Sequence, residues 1–404
     1  METHNVRWLS FSNVILNFGS VEILRDKEPI AIEPQTFDLI AYLALNPGRV
    51  ISKSEITASV WSGRFISDST ISSQISVARS ALGDDGKRQR VIKTVHGRGY
   101  RFELEVKSDD PKTNLAPSDH VDKSALDIRY CETKDGINLA YASLGSGFPL
   151  VRAASFLTHL QHDFESVLAG HWVRDLSREF QYIRYDERGN GLSDWEVEDL
   201  SFETMITDLE TVVRELGLTK FSLLGSSQGA SVSIAYAHRH PDKVSCLILY
   251  DGYASGFKHS TDQNYKEIRD SMLELTRASW GSSNPIIHSA NTALFLPDAN
   301  SEQRQDFSKL QRITTTPDNA YSILKTFANI DVRHLLADIK VPVLVLHRRD
   351  DAAVPFEAGR FLASSIPNAR FFPLDGANHI VLEDEPEWPV VLEEITNFIH
   401  KHAD

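Results

Sequence analysis

A serine framed by two glycines lies near the middle of the chain. The stretch LLGSSQGAS, residues 223–231, contains the pattern Gly-x-Ser-x-Gly centred on Ser227. The apolar run KFSLLGS before it predicts a strand, and the residues from Gln228 onwards predict a helix. Gly225 and Gly229 would let the strand and the helix approach closely, and the helix N-terminus favours developing negative charge. These features are typical of a nucleophilic serine at a sharp strand-to-helix turn.

An aspartate and a histidine follow in the order that such a nucleophile needs. Asp351 stands in a loop after the apolar run VPVLVL, and His379 lies in GANHIVLED after the next predicted strand. Alone, a loop histidine is usually solvated, and an aspartate there often only forms a turn. Together they complete a Ser-Asp-His order, in which His379 deprotonates Ser227 and Asp351 orients the imidazole. Ser226 is the competing serine, but the glycine frame selects Ser227.

Regular alternation of strands and helices surrounds these residues. From residue 127 we predict eight strands: DIRYCET, GINLAYA, PLVRAAS, QYIRYDE, KFSLLGS, VSCLILYDG, VPVLVLHRR and ARFFPL. Amphipathic segments such as SFETMITDLETVVRELGL separate several of them. This order predicts a largely parallel sheet that is covered by helices on both faces.

A different pattern occupies the first hundred residues. The alternating segments VRWLSF, SNVILNF and SVEILR predict a small antiparallel sheet. EPQTFDLIAYLALNPG predicts a helix, and SKSEITASVW predicts another, with Ser52 and Glu55 spaced as a capping box. A third helix is predicted from Ser69 to Leu82, and two strand-like runs, RVIKTV and YRFE, then flank a turn that carries Arg98.

The third predicted helix has an apolar stripe and a row of serines on the opposite face. The stripe comprises Ile71, Ile75, Ala78 and Leu82, and the row comprises Ser69, Ser73, Ser76 and Ser80. Short hydroxyl side chains let a helix enter a groove closely. Basic residues concentrate in the segment that follows, GDDGKRQRVIKTVHGRGYRFE.

Residues 5–104 resemble the winged-helix DNA-binding domain of the OmpR/PhoB type, through the stretch NPGRVISKSEITASVW…ISDSTISSQISVARSALGDDGKRQRVIKTVHGRGYRF. The resemblance implies that the helix at 69–82 enters the major groove of double-stranded DNA and that the wing meets the backbone or minor groove. The implied DNA-contacting residues are Ser69, Thr70, Ser73, Ser76, Val77, Arg79, Ser80 and Arg98. Positions 69, 77 and 80 are often basic in such domains, so weaker non-specific binding and reliance on a homodimer are expected. The alternative is a solvated helix face in a repurposed protein-binding module.

Residues 127–402 resemble the α/β-hydrolase fold. YDERGNGLSDW at 185–195 matches a segment that usually supports the pocket in this family, and residues 253–335 occupy the position of the helical cap that admits ligands. The family's ester hydrolases typically end the third strand with His-Gly, whereas Ala154 and Ser155 stand here. The resemblance places the oxyanion-stabilising N–H groups at Phe156 and Gln228, and loss of one such donor costs about a hundredfold in rate.

Two histidines follow the altered strand end. His159 and His162 lie in the loop after the third predicted strand. Either they line the pocket or they are solvated polar residues, and the second interpretation is the more common for such positions.

Length and charge set the overall organisation. A chain of 404 residues exceeds what one core usually organises, so we expect a winged-helix domain at 1–105, a linker at 106–126 and a hydrolase domain at 127–404. The fold class is therefore a winged helix-turn-helix (α+β) followed by an α/β-hydrolase fold with a helical cap. Residues 1–107 carry 14 Lys and Arg against 12 Asp and Glu, whereas the remainder carries 28 against 44. Any nucleic-acid contact is thus expected in the first domain.

Other classes of partner are not indicated. No basic n-region precedes an apolar segment, and no run of about 18 apolar residues predicts a membrane span. Cys131 and Cys246 are far apart and the histidines show no paired metal-binding spacing, so we expect neither a metal nor another cofactor. A reducing cytoplasm fits this composition.

The two domains together suggest a transcription regulator whose hydrolase domain senses a small molecule. The alternative is an active serine hydrolase acting on an ester, lactone or amide, with an accessory winged helix. A third interpretation is an enzyme similar to haloperoxidases or epoxide-processing members of the fold, but an aspartate in place of Ser227 is expected for epoxides.

Overall fold

The chain divides into two compact units, Met1–Lys123 and Ser124–Asp404. The computed structural model describes residues 8–18, 21–25, 28–30, 32–61, 67–84, 86–95, 98–104, 106–108, 126–280 and 285–403. Most of the predicted linker, residues 109–125, lies outside these ranges.

The first unit combines two small sheets with three helices. Its elements are β1 (Trp8–Phe11), β2 (Val14–Asn17), β3 (Glu22–Arg25), β4 (Glu28–Ile30), α1 (Pro34–Ala44), β5 (Val50–Ile51), α2 (Lys53–Val60), α3 (Asp68–Ala81), β6 (Ile92–Val95), β7 (Gly99–Phe102) and β8 (Lys107–Ser108). The antiparallel sheets have the orders β4-β3-β2-β1-β8 and β5-β7-β6. The unit has its own hydrophobic core. Its small antiparallel sheets and described helices confirm the predicted winged-helix class.

Local signals in the sequence explain the helix starts of this unit. Ser52 caps α2 by accepting a hydrogen bond from the N–H of Glu55. The Glu55 carboxylate accepts a hydrogen bond of 2.8 Å from the Tyr42 hydroxyl. Ser67 caps α3 by accepting from the Thr70 N–H. Side-chain caps of this kind typically stabilise a helix by about 1 kcal/mol.

The second unit alternates strands and helices. Its elements are β9 (Ile128–Glu132), β10 (Asn138–Leu144), β11 (Pro149–Arg152), α4 (Leu160–Glu165), α5 (Gly170–Glu179), β12 (Gln181–Tyr185), α6 (Phe202–Glu215), β13 (Phe221–Ser226), α7 (Gln228–Arg239), β14 (Val244–Tyr250), α8 (Gln263–Ser279), α9 (Pro285–Phe295), α10 (Ser301–Thr314), α11 (Pro317–Asn329), β15 (Val343–Arg348), α12 (Phe356–Ser365), β16 (Arg370–Leu374) and α13 (Glu387–His402).

All eight predicted strands of this unit form one sheet in the order β16-β15-β14-β13-β11-β12-β10-β9. The six strands from β16 to β12 pair in parallel, whereas β10 pairs antiparallel with both β12 and β9. Every residue of β13, β14 and β15 is buried, as expected for parallel strands covered on both faces. The strands that precede the three predicted catalytic residues therefore lie in one half of the sheet, with their carboxyl ends on one edge.

In the described residues between β14 and β15 lie four helices, α8 to α11, and two short 3₁₀ helices at Phe257–His259 and Arg333–Asp338. This is the segment predicted to be the cap. Pro285 and Pro317 begin α9 and α11 instead of interrupting them, because proline at the first helical position needs no N–H donor.

The segment YDERGNGLSDW forms a buried support beneath the cap. Arg188 donates to Asp208 at 2.6 and 2.7 Å and to Asp135 at 2.7 Å. Both Arg188 and Asp208 have side chains only 1 % exposed. The Asp186 carboxylate accepts from the N–H groups of Leu160 and Leu192, so it fixes the start of α4.

We expect Arg188→Met to lower the free energy of unfolding by about 3–5 kcal/mol, because it leaves Asp208 buried without its cation. Urea unfolding followed by circular dichroism measures the change. The matched control is Arg239→Met, which breaks the half-exposed pair with Glu203 and should cost about 1 kcal/mol or less. Equal losses for the two variants would contradict the assignment of Arg188 as the central support.

In the part of the chain that the structure describes, no helix is both long enough and apolar enough to cross a membrane. Cys131 and Cys246 are buried free thiols.

Candidate functional site

Ser227 occupies a strained turn between β13 and α7. Its backbone angles are φ 53° and ψ −125°, a conformation that non-glycine residues rarely adopt. The Ser227 N–H donates to the Tyr250 carbonyl oxygen at 3.0 Å, which ties the turn to the end of β14. Strain of this kind persists where the surrounding structure fixes it, and it is concentrated at functional sites.

The two framing glycines are required by close backbone packing. A Cβ atom at Gly225 would lie 2.5 Å from the Gly229 carbonyl oxygen, and one at Gly229 would lie 3.0 Å from the Ala154 carbonyl oxygen. Side chains at these positions would push α7 away from β13 or β11. The Gly-x-Ser-x-Gly pattern is thus explained by the geometry of the turn.

Asp351 and His379 are joined by a short hydrogen bond. The His379 Nδ1 atom lies 2.6 Å from Asp351 Oδ2, and the N–H groups of Ala353 and Val354 donate to Asp351 Oδ1 at 2.8 and 3.1 Å. Both side chains are buried. Both oxygens of the Asp351 carboxylate accept hydrogen bonds, so the carboxylate holds the His379 imidazole in one orientation. The other ring nitrogen, Nε2, is then free of Asp351 and can face a substrate.

The environment of His379 favours its protonated form. Burial of the ring lowers the pKa of His379, but the charge and the hydrogen bond of Asp351 raise it, and the net pKa lies above 6.5. The imidazole is therefore suited to accept a proton from a nucleophile.

The structure brings Ser227 and His379 to the wall of one cavity. Among the residues that the structure describes, Ser227 Oγ has no hydrogen bond to His379. Catalytic hydrogen bonds are often long before substrate binds and tighten afterwards. The three predicted residues thus lie at one site. The hydrogen bond between Asp351 and His379 is formed, whereas the one between His379 and Ser227 is not formed in the described structure.

The predicted oxyanion donors lie beside Ser227. Phe156 and Gln228 line the same two cavities as the serine. Gln228 is the first residue of α7, so its N–H has no acceptor within the helix. Ala154 and Ser155 are buried where the family's ester hydrolases typically have His-Gly, and Leu157 has a positive φ of 65° in the same turn.

Two cavities meet at this point. The cap cavity, of about 280 Å³, is formed largely by cap residues such as Tyr253, Arg269 and Phe327. The inner chamber, of about 90 Å³, is lined by Arg152, Trp172, Ser226, Ser227, Gln228 and His379, among others. The site can therefore hold a small molecule on two sides of Ser227.

A second buried aspartate was missed in the sequence. Asp251 directly follows β14 and is fully buried, and its Oδ1 accepts from the Arg348 N–H at 2.7 Å. Burial, with the charge of Asp351, raises the pKa of Asp251. The sequence could have indicated Asp251, because this residue directly follows the apolar strand next to β13, in the stretch LYDG.

Asp251, His347 and Asp351 offer ligand atoms that all lie within 4.8 Å of one another. Two of the three are already engaged, because His347 Nε2 lies 3.0 Å from the Val354 carbonyl oxygen and both oxygens of Asp351 accept hydrogen bonds. A metal ion there would have to displace the contacts that orient His379.

The two loop histidines support structure away from the cavities. The His159 ring accepts from the His162 N–H and so caps α4. His162 Nε2 lies 3.2 Å from Asp306 Oδ1 in α10. Within the described ranges neither histidine lines the cap cavity or the inner chamber, so the interpretation as pocket residues is wrong. The interpretation as solvated residues is also wrong for His162, whose side chain is buried.

In the first unit, α3 has the predicted two faces. Ile71, Ile75 and Ala78 are buried in the core. The exposed side chains include six of the eight predicted DNA contacts: Ser69, Thr70, Ser73, Ser76, Val77 and Ser80. Arg98 is also exposed, at the turn between β6 and β7. The geometry permits these residues to meet DNA, and their contacts with it stay a prediction.

Arg79 corrects the sequence-based prediction of a DNA contact. Its side chain is only 8 % exposed, and it donates to the Ile92 carbonyl oxygen at 2.9 and 2.7 Å and to the Thr94 hydroxyl at 2.9 Å. The guanidinium group therefore holds α3 against β6. The acceptors on β6 satisfy the buried guanidinium group, which explains why this basic residue does not face outward.

Comparisons with known proteins agree with this architecture. Residues 162–386 match the family model described as alpha/beta hydrolase fold, and residues 27–102 match the one described as transcriptional regulatory protein, C terminal. The AB hydrolase superfamily protein YisY of Bacillus subtilis (strain 168) is 28 % identical over 264 residues, which are 64 % of this chain and 94 % of that protein. The putative carbamate hydrolase RutD of Klebsiella pneumoniae (strain 342) is 26 % identical, over 52 % of this chain and 79 % of its own length.

Among solved structures, an esterase from Exiguobacterium antarcticum is similar with a TM-score of 0.57 and 24 % identity, covering 68 % of this chain and 98 % of that one. An enol-lactonase from Burkholderia xenovorans LB400 is similar with a TM-score of 0.56 and 21 % identity, covering 67 % of this chain and 100 % of that one. At these identities the likeness concerns the fold alone. The chain belongs to the α/β hydrolase fold family, and its first unit contains a domain that matches the C-terminal domain of transcriptional regulatory proteins.

Proposed function

We propose that the protein is a transcription regulator that binds double-stranded DNA through its first unit and a small-molecule ester, lactone or amide in its second. The observation that carries the proposal is the Asp351–His379 pair beside the strained Ser227 turn, in a chain that also has a serine-faced helix α3. Ligand in the cavities changes how the winged helices of a homodimer are spaced on DNA.

The chemistry at the site is acyl transfer. His379 Nε2 removes the Ser227 proton as Oγ attacks the carbonyl carbon, and Asp351 stabilises the imidazolium that forms. The N–H groups of Phe156 and Gln228 donate to the oxyanion. His379 then gives its proton to the leaving group, and water releases the acyl group by the reverse sequence. Slow hydrolysis would remove the signal and reset the regulator.

The second candidate is a serine hydrolase whose winged helix is accessory. The short Asp351–His379 hydrogen bond favours it, because a receptor has no need of an oriented general base. The two functions differ in whether occupation of the hydrolase unit changes DNA binding.

Ser76→Glu tests the DNA-binding part. Ser76 is exposed on α3, so a carboxylate there should repel the phosphate backbone and weaken binding by about tenfold or more. Binding is measured by fluorescence anisotropy on genomic fragments that the full-length protein selects. The matched control is Ser364→Glu, an exposed serine on α12. Unchanged affinity for Ser76→Glu would contradict the placement of α3 on DNA, whereas Ser227 should stay reactive in both variants.

A further inference from the structure

The inner chamber has an arginine in its wall that lacks a counterion. Arg152 ends β11, and its guanidinium carbon lies 5.5 Å from the centre of the Trp172 ring. Its Nε atom is buried and has no hydrogen-bond partner, and the described part of the chain offers it no ion pair. A buried N–H group without an acceptor is costly, so an acceptor supplied by a ligand would stabilise this side chain.

Two further polar groups in the same wall also lack partners. Ser226 Oγ and Gln228 Nε2 are both buried without a hydrogen bond in the described structure. Gln228 Nε2 is a donor, and the Ser226 hydroxyl can donate as well. Together with Arg152 they form a set of donors beside Ser227, and an acceptor-rich anionic group would satisfy all three.

The acidic group in the chamber wall does not neutralise Arg152. Asp163 also lines the chamber, but its carboxylate pairs with the buried Arg184 and accepts from the His159 N–H. The positive charge of Arg152 therefore stays available to a ligand.

We propose that the inner chamber binds a carboxylate carried by the acyl part of the ligand. Arg152 donates to both carboxylate oxygens in the geometry that guanidinium groups favour, and the Gln228 amide and Ser226 hydroxyl complete the set. The substrate class is then a half-ester of a short dicarboxylic acid, or a lactone with a carboxylate side chain. The inference depends on the proposed function for the reaction at Ser227, whereas anion binding itself does not need that reaction.

The cap cavity contains a second arginine, Arg269, which is the alternative binding site for the ligand carboxylate. Arg269 lies over the rings of Phe257 and Tyr265, with its guanidinium carbon 5.7 and 5.9 Å from the ring centres. Its Nη1 atom is also buried without a partner. The inner chamber is preferred because three residues with buried, unpartnered polar atoms, Arg152, Ser226 and Gln228, line it.

The test uses the full-length Ser227→Ala variant, which separates binding from turnover. Isothermal titration calorimetry compares the binding of monoethyl succinate with that of ethyl butyrate. The first compound ends in a carboxylate at the position where the second ends in a methyl group. We expect the succinate half-ester to bind about tenfold more tightly or better, as a charge-assisted hydrogen-bonded pair permits. Adding Arg152→Met should abolish this preference, Arg152→Lys should retain part of it, and Arg269→Met should leave it unchanged.

Three results would overturn the inference: equal or weaker binding of the half-ester, a preference that survives Arg152→Met, or one that is lost with Arg269→Met. Thermal unfolding checks that each variant is folded. Failure of the proposed function gives a different result, since wild-type Ser227 would then resist phosphonate labelling while the binding preference remained.

Discussion

Ser227→Ala is expected to lower the turnover of esters and lactones by about 10⁴- to 10⁶-fold, because it removes the hydroxyl that attacks the carbonyl carbon. The wild-type protein should also be labelled by a serine-reactive phosphonate, with a mass increase that maps to Ser227. Release of alcohol and intact-protein mass spectrometry measure the two effects on the same preparations.

Ser233→Ala is the matched control for this variant. Ser233 lies on the same helix α7, is fully buried, and its hydroxyl has no hydrogen-bond partner among the described residues. Its loss should leave both turnover and labelling at the wild-type level. If Ser227→Ala keeps wild-type turnover, or if the wild-type protein is not labelled, Ser227 is not the nucleophile.

Asp351→Asn should lower kcat/KM by about 10⁴-fold at neutral pH. An amide can occupy the same space but no longer fixes the tautomer of His379 or stabilises its positive charge; the magnitude is the one known for the equivalent change in a serine protease. Initial rates with an ester that the wild-type protein hydrolyses measure the loss.

Asp251→Asn is the control, because Asp251 is the other buried carboxylate beside this pair. Burial raises the pKa of Asp251 and so favours its uncharged form, which an uncharged amide resembles. We expect a loss of less than about tenfold. If Asp251→Asn is the more damaging change, Asp251 and not Asp351 is the acidic partner of the histidine.

The dependence of rate on pH follows from the pKa of His379. The general base must be unprotonated, so kcat/KM should rise with pH as His379 loses its proton, with a midpoint above 6.5 because the pKa is raised. Asp351→Asn removes the charge and hydrogen bond that raise this pKa, so its residual activity should have a lower midpoint. A pH–rate profile of each protein checks both directions, and a midpoint that does not move would contradict the pairing.

Residue patterns were sufficient to predict all eight strands of the second unit and the convergence of the site. Parallel strands share one carboxyl-terminal edge, so Ser227, Asp351 and His379 could be placed together from the strand order alone. The serine face of α3 followed from helical periodicity. Both predictions depend on local regularities that the backbone imposes.

Contacts between distant segments were not predictable in this way. The burial of Arg79 against β6 depends on a carbonyl 13 residues away, and the role of Asp251 depends on the Arg348 N–H on the neighbouring strand. The short strands β4 and β8 have too few residues for an alternating pattern. The inner chamber likewise depends on side-chain packing, which a sequence pattern does not specify.

The coupling of the two units is tested most directly by occupying Ser227 and measuring DNA binding. Full-length protein is labelled completely with a serine-reactive phosphonate, and its Kd for a selected genomic fragment is compared with that of unlabelled protein and of treated Ser227→Ala. A regulator should show a change of about fivefold or more on labelling, in either direction, and treated Ser227→Ala should show none. An unchanged Kd in fully labelled wild-type protein would contradict the regulator and leave a hydrolase with an accessory DNA-binding domain.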